Sequence, residues 1–279
     1  MTGFKKDLTE DEKAKPYSKY FYRDPKLPSP DKLAVLNKPM DPSKALLIEN
    51  INSLLDPGYH EVEDGWCVLP NGAGYVACHK LMPGITVDMI NWWFAWHGLE
   101  NLRYKIWWPQ DHYNVSLSDP DRAKILDPKR SLTEKFQGLT HYVTENVGAG
   151  GIERIAISFM TPQKMGFDMN RFKTPYVGTV IAANGISRPL NPPREIEETK
   201  GSCAVMLHFV REIPDGIEMR TRFWMGYHIM NKKPRLFIED GERIPDLVPR
   251  GLAIHNLYEY TNLASFLTEL YREQEGRVV

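Results

Sequence analysis

The feature that most constrains the fold is a series of strand-like segments between residues 139 and 230. Five segments combine β-branched and aromatic residues with alternating or continuous apolar character: LTHYVTENV, IERIAISFM, YVGTVIAAN, CAVMLHFVRE and EMRTRFWMGYHIM. Asp215-Gly216, between the last two, is typical of a hairpin turn. Strands that follow one another, with helical patterns only before and after them, indicate an α+β fold with an antiparallel sheet.

A helical pattern closes the chain, from about Leu252 to Arg272. Its apolar residues recur at three- and four-residue intervals and mark a face that points toward the core. A long C-terminal helix laid across a curved antiparallel sheet would form a helix-grip arrangement, in which the space between helix and sheet holds a ligand. The predicted fold is therefore an α+β helix-grip fold.

The segments before residue 139 carry further local signals. Two strands are predicted around the PNGAG turn of HEVEDGWCVLPNGAGYVACHKLM, and PGITVDMINWWFAWHGL predicts a helix capped by Thr86. A short helix is predicted over residues 42–55, and a short aromatic strand from Tyr104 to Trp108. The proline-rich composition of residues 1–40 predicts an extended arm. Its aromatic residues, such as Tyr17 and Tyr20, indicate that the arm packs against other protein surface rather than hanging free, and a second subunit is one option.

Composition excludes several classes of protein. Of the 279 residues, 25% are charged and 42% hydrophobic, as in an ordinary globular protein. No apolar stretch approaches the roughly 20 residues that span a bilayer, and the N-terminus has no apolar region typical of a secretion signal, so we expect no membrane association and a cytoplasmic location. The net charge is −1 with dispersed basic residues, which argues against nucleic acid as a partner. Three scattered cysteines indicate neither disulfides nor a thiolate zinc site.

The closing helix contains two polar residues that continue its apolar face, His255 and Glu259. They lie one turn apart and in phase with Leu252 and Leu263, so both side chains are predicted to point inward. A glutamate is rarely buried without a partner, and a first-row metal ion bound by imidazole and carboxylate would supply one. The alternative is an ordinary polar interruption of a helix.

Two other groups are candidates for chemistry. His112 follows an aromatic segment, where a pocket mouth can form, and His141 and Glu145 share one face of a predicted strand with Val143. A carboxylate on the inner face would need a partner, whereas on a solvated outer face it would not. Five tryptophans lie between residues 92 and 108, and this aromatic cluster fits either a core or a site for an aromatic, hydroxylated ligand.

Together these motifs carry a family resemblance. The ordered set is WW-x-x-WH, RYKIW-x-P-x-DH, HYVTENVG, SF-x-x-P-x-x-x-GFD, LHFVRE, MRTRFWMG and HNLYE. It resembles the 2,4-diacetylphloroglucinol hydrolase and phloretin hydrolase family from about Gly65 to Tyr271. The resemblance implies a zinc enzyme that cleaves the carbon–carbon bond between an acyl group and a polyhydroxylated ring. It also implies a helix-grip domain like that of the Bet v 1 allergens at residues 61–279, and an N-terminal dimerisation part at residues 1–60 of a homodimer.

The resemblance also implies roles for individual residues. Two histidines and two glutamates would hold Zn²⁺, at His112, His255, Glu259 and Glu145, with Glu153 and Glu134 as alternatives for Glu145. Tyr104 and His208 match residues that contact the acylated polyphenol, and either could move the ring proton. Asn114 is the candidate for a substrate-contacting asparagine.

Two other classes of function remain open from the sequence. A helix-grip protein could bind a hydrophobic aromatic ligand without chemistry, in which case the inward polar residues would serve recognition alone. Two histidines with carboxylates also suit iron in an oxygen-dependent, ring-cleaving enzyme.

Overall fold

The computed structural model describes residues 7–148, 151–173, 176–190 and 201–279. Within these residues the α-helices are α1 Glu10–Lys13, α2 Lys19–Tyr22, α3 Pro30–Val35, α4 Val87–Trp96, α5 Asn101–Lys105, α6 Asp119–Leu126, α7 Leu132–Phe136, α8 Pro162–Met165, α9 Leu247–Ala264 and α10 Leu267–Glu273. The strands are β1 Gly65–Val68, β2 Gly74–Pro83, β3 His112–Ser116, β4 Thr140–Glu145, β5 Glu153–Met160, β6 Thr179–Pro189, β7 Ser202–Ile213, β8 Gly216–Met225, β9 Tyr227–Met230 and β10 Lys233–Leu236. Short 3-10 helices occur at Pro42–Lys44, Ile48–Leu55, His97–Leu99 and Arg171–Lys173.

The main element is an antiparallel sheet of eight strands in the order β1-β2-β8-β7-β6-β5-β4-β3, and β9 and β10 form a separate hairpin. The predicted antiparallel sheet is thus confirmed, including the two strands around PNGAG and the hairpin at Asp215-Gly216. Gly216 has a φ of 151°, a conformation that residues with side chains rarely adopt. From β4 to β8 each strand pairs with the next in sequence, which is why the alternating pattern could be read directly.

The two faces of the sheet pack against different parts of the chain. In β2, Val76 and Cys78 lie in a buried cluster with Leu257 of α9. Their neighbours Tyr75 and Ala77 face the other way, into a cluster with residues 46–55. The alternation of side chains along a strand therefore places the closing helix on one face and the N-terminal segment on the other.

The closing helix is not continuous. The predicted single helix from Leu252 to Arg272 is two helices, α9 and α10, separated at Ser265 and Phe266. Phe266 leaves the helical conformation (φ −136°, ψ −12°) and its buried ring packs 5.1 Å from the ring of Tyr20 and 6.0 Å from that of Trp93. The helix is therefore interrupted where Phe266 packs against these rings, although the periodicity of the sequence predicts one continuous helix.

The predicted strand from Tyr104 to Trp108 is wrong. Residues Asn101–Lys105 form a helix, and the Trp107 amide donates to the Tyr104 carbonyl in a further turn. Aromatic residues favour strands, but here helical turns direct their rings into one buried aromatic cluster, and tertiary packing overrides the local preference. A strand does follow, but it begins later, at His112, where the sequence analysis predicted no regular element.

The N-terminal part differs in detail from its prediction. Residues 48–55 form a 3-10 rather than an α-helix, and the arm contains three short helices. Tyr17 and Tyr20 are buried on their own chain: the Tyr17 hydroxyl donates to Glu100 (2.6 Å) and the Tyr20 hydroxyl to Glu273 (2.9 Å). These aromatic residues therefore need no second subunit to be covered. The division at residue 60 stays a prediction. Among the described residues, no helix has the length and apolar character required to span a bilayer.

Candidate metal centre

Four buried side chains meet where β3, β4 and α9 approach one another. His112 begins β3 and is paired with Glu145 at the end of β4. His255 and Glu259 lie one turn apart in α9. The inward phase predicted for the helix pair holds, and Glu145 is buried on the inner of the two faces that its strand pattern left open. These side chains come together although they are up to 147 residues apart in the sequence.

The donor atoms of this cluster have the spacing of metal ligands. His112, Glu145 and His255 offer atoms that all lie within 4.8 Å of one another. His112 Nε2 is 3.3 Å from both His255 Nε2 and Glu145 Oε2, and 3.6 Å from Glu259 Oε2. His255 Nε2 is 3.9 Å and 3.8 Å from the same two carboxylate oxygens. Ligands of tetrahedral zinc, with bonds near 2.0–2.1 Å, stand about 3.3 Å apart, so this arrangement needs little adjustment to hold an ion.

Hydrogen bonding fixes which nitrogen of His112 is available. Its Nδ1 lies 3.3 Å from the carbonyl oxygen of Tyr104, which can only accept, so Nδ1 carries the proton and Nε2 presents its lone pair. His255 Nε2 faces that lone pair and must donate a proton to it or share a cation with it. A metal ion would take the position of this proton.

Electrostatics favour a cation between these groups. Burial raises the pKa of Glu145, and it raises the pKa of Glu259 to about 8, because neither carboxylate is easily ionised away from water. Burial lowers the pKa of His255, but Asp111, Glu259 and Glu145 outweigh this and raise it to about 9. The cluster therefore recruits a positive charge, and a divalent ion would supply it without a proton.

Neighbouring side chains hold the ligands in place. The Tyr104 ring stacks on His112 at 4.3 Å with an interplanar angle of 5°, and its hydroxyl donates to Glu145 Oε2. Asn256 Nδ2 donates to Glu259 Oε1 at 3.1 Å, which leaves Oε2 directed at the histidines. Such outer contacts orient metal ligands in known metal sites.

Asp111 is a further neighbour that the sequence analysis did not single out. His255 Nδ1 is buried without a hydrogen-bond partner among the described residues, and the nearest carboxylate oxygen, Asp111 Oδ2, is 3.8 Å away. Trp108 Nε1 donates to the same Oδ2 at 2.8 Å and fixes its position. The adjacent Asp-His pair at 111–112 was the available signal, but sequence alone links Asp111 to His112 and not to His255.

The two alternatives for Glu145 lie elsewhere. Glu134 is an exposed residue of α7, where its carboxylate caps the helix by accepting from Ser131. Glu153 is paired with Glu145 across the sheet and lines the adjoining cavity rather than joining the two histidines. The geometry thus favours Glu145 over both.

A cavity of about 270 Å³ adjoins the cluster, between the sheet and α9. The cluster residues Glu145, His255 and Glu259 and the predicted substrate residues Tyr104 and His208 are in its wall. The rest of the wall is mainly apolar, from residues such as Phe94, Trp107, Ile155, Phe159, Met206, Phe223, Val248 and Leu252. A cavity of this kind fits a small, largely apolar molecule.

His208 lies in the cavity wall, but both of its ring nitrogens are engaged. Nδ1 is 2.8 Å from the Thr221 hydroxyl and Nε2 is 2.9 Å from the Tyr260 hydroxyl. Burial lowers the pKa of His208 to about 3, so the ring is neutral. It can present its face to a ligand, whereas proton exchange would require one of these hydrogen bonds to break.

Asn114 is not brought into the cavity. A bulge between His112 and Asn114 shifts the register of β3, and Asn114 pairs with Thr144. The neighbours of Thr144 in β4, Val143 and Glu145, line the cavity, so Thr144 and Asn114 belong to the opposite face. Sequence spacing could not reveal the bulge that changes this orientation.

The cavity also contains two histidines to which no role was given. His141 shares the inner face of β4 with Val143 and Glu145, as its spacing predicted, and His97 reaches the cavity from the turn after α4. Both are almost completely buried.

Comparison with known proteins gives a consistent relationship. The sequence profile described as the DAPG hydrolase PhiG domain matches residues 46–272. A phloretin hydrolase from Eubacterium ramulus is 34% identical over 280 residues, covering 98% of this chain and 95% of that protein. A 2,4-diacetylphloroglucinol hydrolase from Pseudomonas protegens is 31% identical over 271 residues, covering 93% of this chain and 84% of that protein. A solved structure of a protein from Chromobacterium violaceum aligns with a TM-score of 0.36 and 10% sequence identity. The alignment covers 71% of this chain and 98% of that protein, and the similarity is too low to inform the fold.

Proposed function

The chain belongs to the DAPG hydrolase family, and from this membership we propose that it is a zinc-dependent hydrolase that releases the acyl group of an acylated, polyhydroxylated aromatic ring. It is an enzyme of the hydrolase class that acts on carbon–carbon bonds. The substrates named for its relatives, 2,4-diacetylphloroglucinol and phloretin, are our candidates for its own.

The observation that carries the proposal is the cluster of His112, Glu145, His255 and Glu259 beside a mainly apolar cavity. Neutral imidazole and carboxylate oxygen are ligands that zinc accepts, and the separations of these donor atoms suit its bond lengths. Bound zinc would act as a Lewis acid toward a carbonyl oxygen and help to activate water. The same ligands also suit iron, which makes metal identity part of the test.

The reaction needs a proton on the ring before the bond breaks. An aryl carbanion is a poor leaving group, but a polyhydroxylated ring that takes a proton at the acyl-bearing carbon becomes a ketone. Water can then add to the acyl carbonyl, and the carbon–carbon bond breaks with its electron pair returning to the ring as an enolate. Overall, one water is consumed, the acyl group leaves as a carboxylic acid, and the ring carbon keeps a hydrogen.

Tyr104, which lies beside the ligand cluster, is our candidate for moving that proton. The Tyr104 hydroxyl already donates to Glu145 and lies in the cavity wall beside the donor cluster. Burial and the adjacent Glu145 carboxylate raise the pKa of Tyr104 well above its ordinary value, so the hydroxyl keeps its proton in the resting site. We assign the proton transfer to Tyr104 and a substrate contact to His208, whose nitrogens are both occupied.

The finer architecture is part of the same proposal. The position of α9 against one face of the sheet, with the cavity between them, supports a helix-grip arrangement. We propose residues 61–279 as the catalytic unit. We retain residues 1–60 as a dimerisation part, for which the exposed Tyr22 and Leu27 offer apolar surface.

Incubation with 2,4-diacetylphloroglucinol and with phloretin under anaerobic conditions tests the function. The expected result is release of acetate from the first or of a phenylpropanoic acid from the second, by protein that contains one zinc per chain. Matched protein stripped with a chelator should be inactive and regain turnover with zinc. A protein that only binds its ligand would give no product, and an oxygen-dependent iron enzyme would act only when oxygen is added. Either result would reject the proposal.

A further inference from the structure

One end of the cavity is closed by aromatic and imidazole rings that the proposed reaction does not use. His97 lies 5.1 Å from His141, 5.2 Å from Trp107 and 5.4 Å from Phe94 between ring centres, and the His141 ring is 4.9 Å from Phe159. All five residues are in the cavity wall. We refer to this group as the imidazole end.

The imidazole end is separate from the metal-binding cluster. Along β4, His141 is paired with Ile157, whereas Glu145 is paired with Glu153, so the two positions are four residues apart on the same inner face. The Tyr104 ring stands between the two regions, stacked on His112 at 4.3 Å on one side and facing the His97 ring at 6.1 Å on the other. A flat molecule with its acyl group at the cluster can extend past Tyr104 to reach His97 and His141.

Each neutral imidazole at this end has one nitrogen that can accept a hydrogen bond, whereas Trp107 Nε1, which has no partner among the described residues, is a donor. His97 Nδ1 lies 2.8 Å from the Trp93 carbonyl oxygen, so Nδ1 carries the proton and Nε2 keeps its lone pair. His141 is 1% exposed, and its Nε2 has no hydrogen-bond partner among the described residues. A buried polar atom without a partner is destabilising, so its presence requires a reason.

The chain makes room for His141 in a specific way. A Cβ atom added at Gly98 would lie 2.4 Å from His141 Cε1 and Nε2, so any larger residue would push the ring away. The unpartnered imidazole is therefore held at a position that exists only because residue 98 has no side chain. Apolar residues would close the cavity equally well, but they would offer no acceptor.

We propose that His97 and His141 accept hydrogen bonds from the ring hydroxyls of the substrate and so select a polyhydroxylated ring. A phenolic O–H is a donor, and the lone pair of a neutral imidazole nitrogen is its complement. The identity of the ring in this assignment rests on the proposed function. The assignment adds the two residues that would distinguish rings by their number of hydroxyl groups.

Binding of the bare rings tests this assignment without any turnover. Phloroglucinol has three hydroxyls and resorcinol two, so the ratio of their dissociation constants isolates the contribution of the third. Titration calorimetry on the zinc-loaded protein should give phloroglucinol an advantage of about threefold to tenfold, the value of one net hydrogen bond. In His141→Phe, which keeps a flat ring but removes both nitrogens, the ratio should fall to about one.

Three further proteins complete the design. His141→Gln restores an acceptor near the position of Nε2 and should recover part of the ratio, while His228→Phe changes a histidine outside the cavity and should leave it unchanged. Gly98→Ala should lower the ratio of dissociation constants by displacing the His141 ring. If His141→Phe does not fold, this variant takes its place in the test.

The two levels of the proposal can fail separately. A folded, zinc-containing His141→Phe protein that keeps the full ratio, or a wild type that shows no preference for phloroglucinol, would overturn the role of the imidazole end. Absence of acid release by the wild type would instead reject the proposed reaction, whatever the binding ratio.

Discussion

Replacing Tyr104 with phenylalanine removes one oxygen atom from the candidate active site and leaves the ring that stacks on His112. The lost hydrogen bond runs to a buried carboxylate, Glu145, and bonds to charged groups are worth about 1.5–3 kcal/mol. If Tyr104 also moves the ring proton, loss of a positioned acid or base costs about 10²–10⁴ in rate. The larger effect should dominate, so we expect kcat to fall at least about 100-fold while one zinc per chain is retained.

The assay for Tyr104→Phe is acid release together with metal analysis of the same preparation. Tyr142→Phe is the matched control, since Tyr142 is 52% exposed on the outer face of β4 and should have wild-type activity. A fall in kcat of less than about threefold, with zinc and folding intact, would refute the role of Tyr104 in proton transfer. Loss of zinc with loss of activity would show instead that Tyr104 acts by holding Glu145.

Two other predictions concern residues that act at a distance from the substrate. Asp111→Asn should weaken zinc binding about 10- to 100-fold, because the carboxylate that faces His255 Nδ1 is lost. Competition with a chelator measures this affinity. An unchanged zinc affinity would contradict the role of Asp111 in orienting His255. Burial raises the pKa of Glu63, but hydrogen bonds and charge from Arg220 and Arg222 outweigh this effect and lower the pKa to about 2. The lowered pKa corresponds to about 3 kcal/mol of folding stability. This stability is present above pH 4.5 and is lost as the pH falls toward 2. In urea unfolding, Glu63→Gln should therefore be less stable than wild type at pH 7, with more than half of the difference gone at pH 3; a difference independent of pH would contradict this pairing.

Much of the sheet could be predicted because its information is local. Strands β4 to β8 pair with their sequence neighbours, and alternation correctly placed His141 and Glu145 on one face of β4, without deciding whether that face is the inner one. The sequence also predicted Thr86 as the N-cap of α4, and the Thr86 side chain does accept a hydrogen bond from the Met89 amide. Phase along α9 likewise placed His255 and Glu259 on the buried side.

What failed depended on contacts between distant segments. Helix α5 forms where aromatic composition predicted a strand, because its rings pack into a core that local propensity does not describe. Asn114 points away from the cavity because of a bulge in β3, and no residue pattern signals that bulge. The break at Phe266 arises from its packing against α4 and the N-terminal arm. Similarly, the association of His112 with His255 is a property of the folded chain, and only the family resemblance anticipated it.

The most direct test of the central claim is metal content measured beside turnover in His255→Ala and Glu259→Ala, with His228→Ala as a control outside the cavity. The account predicts that both site variants lose stoichiometric zinc and acid release together, while the control keeps one zinc per chain and full activity. Site variants that retain both zinc and turnover would contradict the assignment of the metal centre.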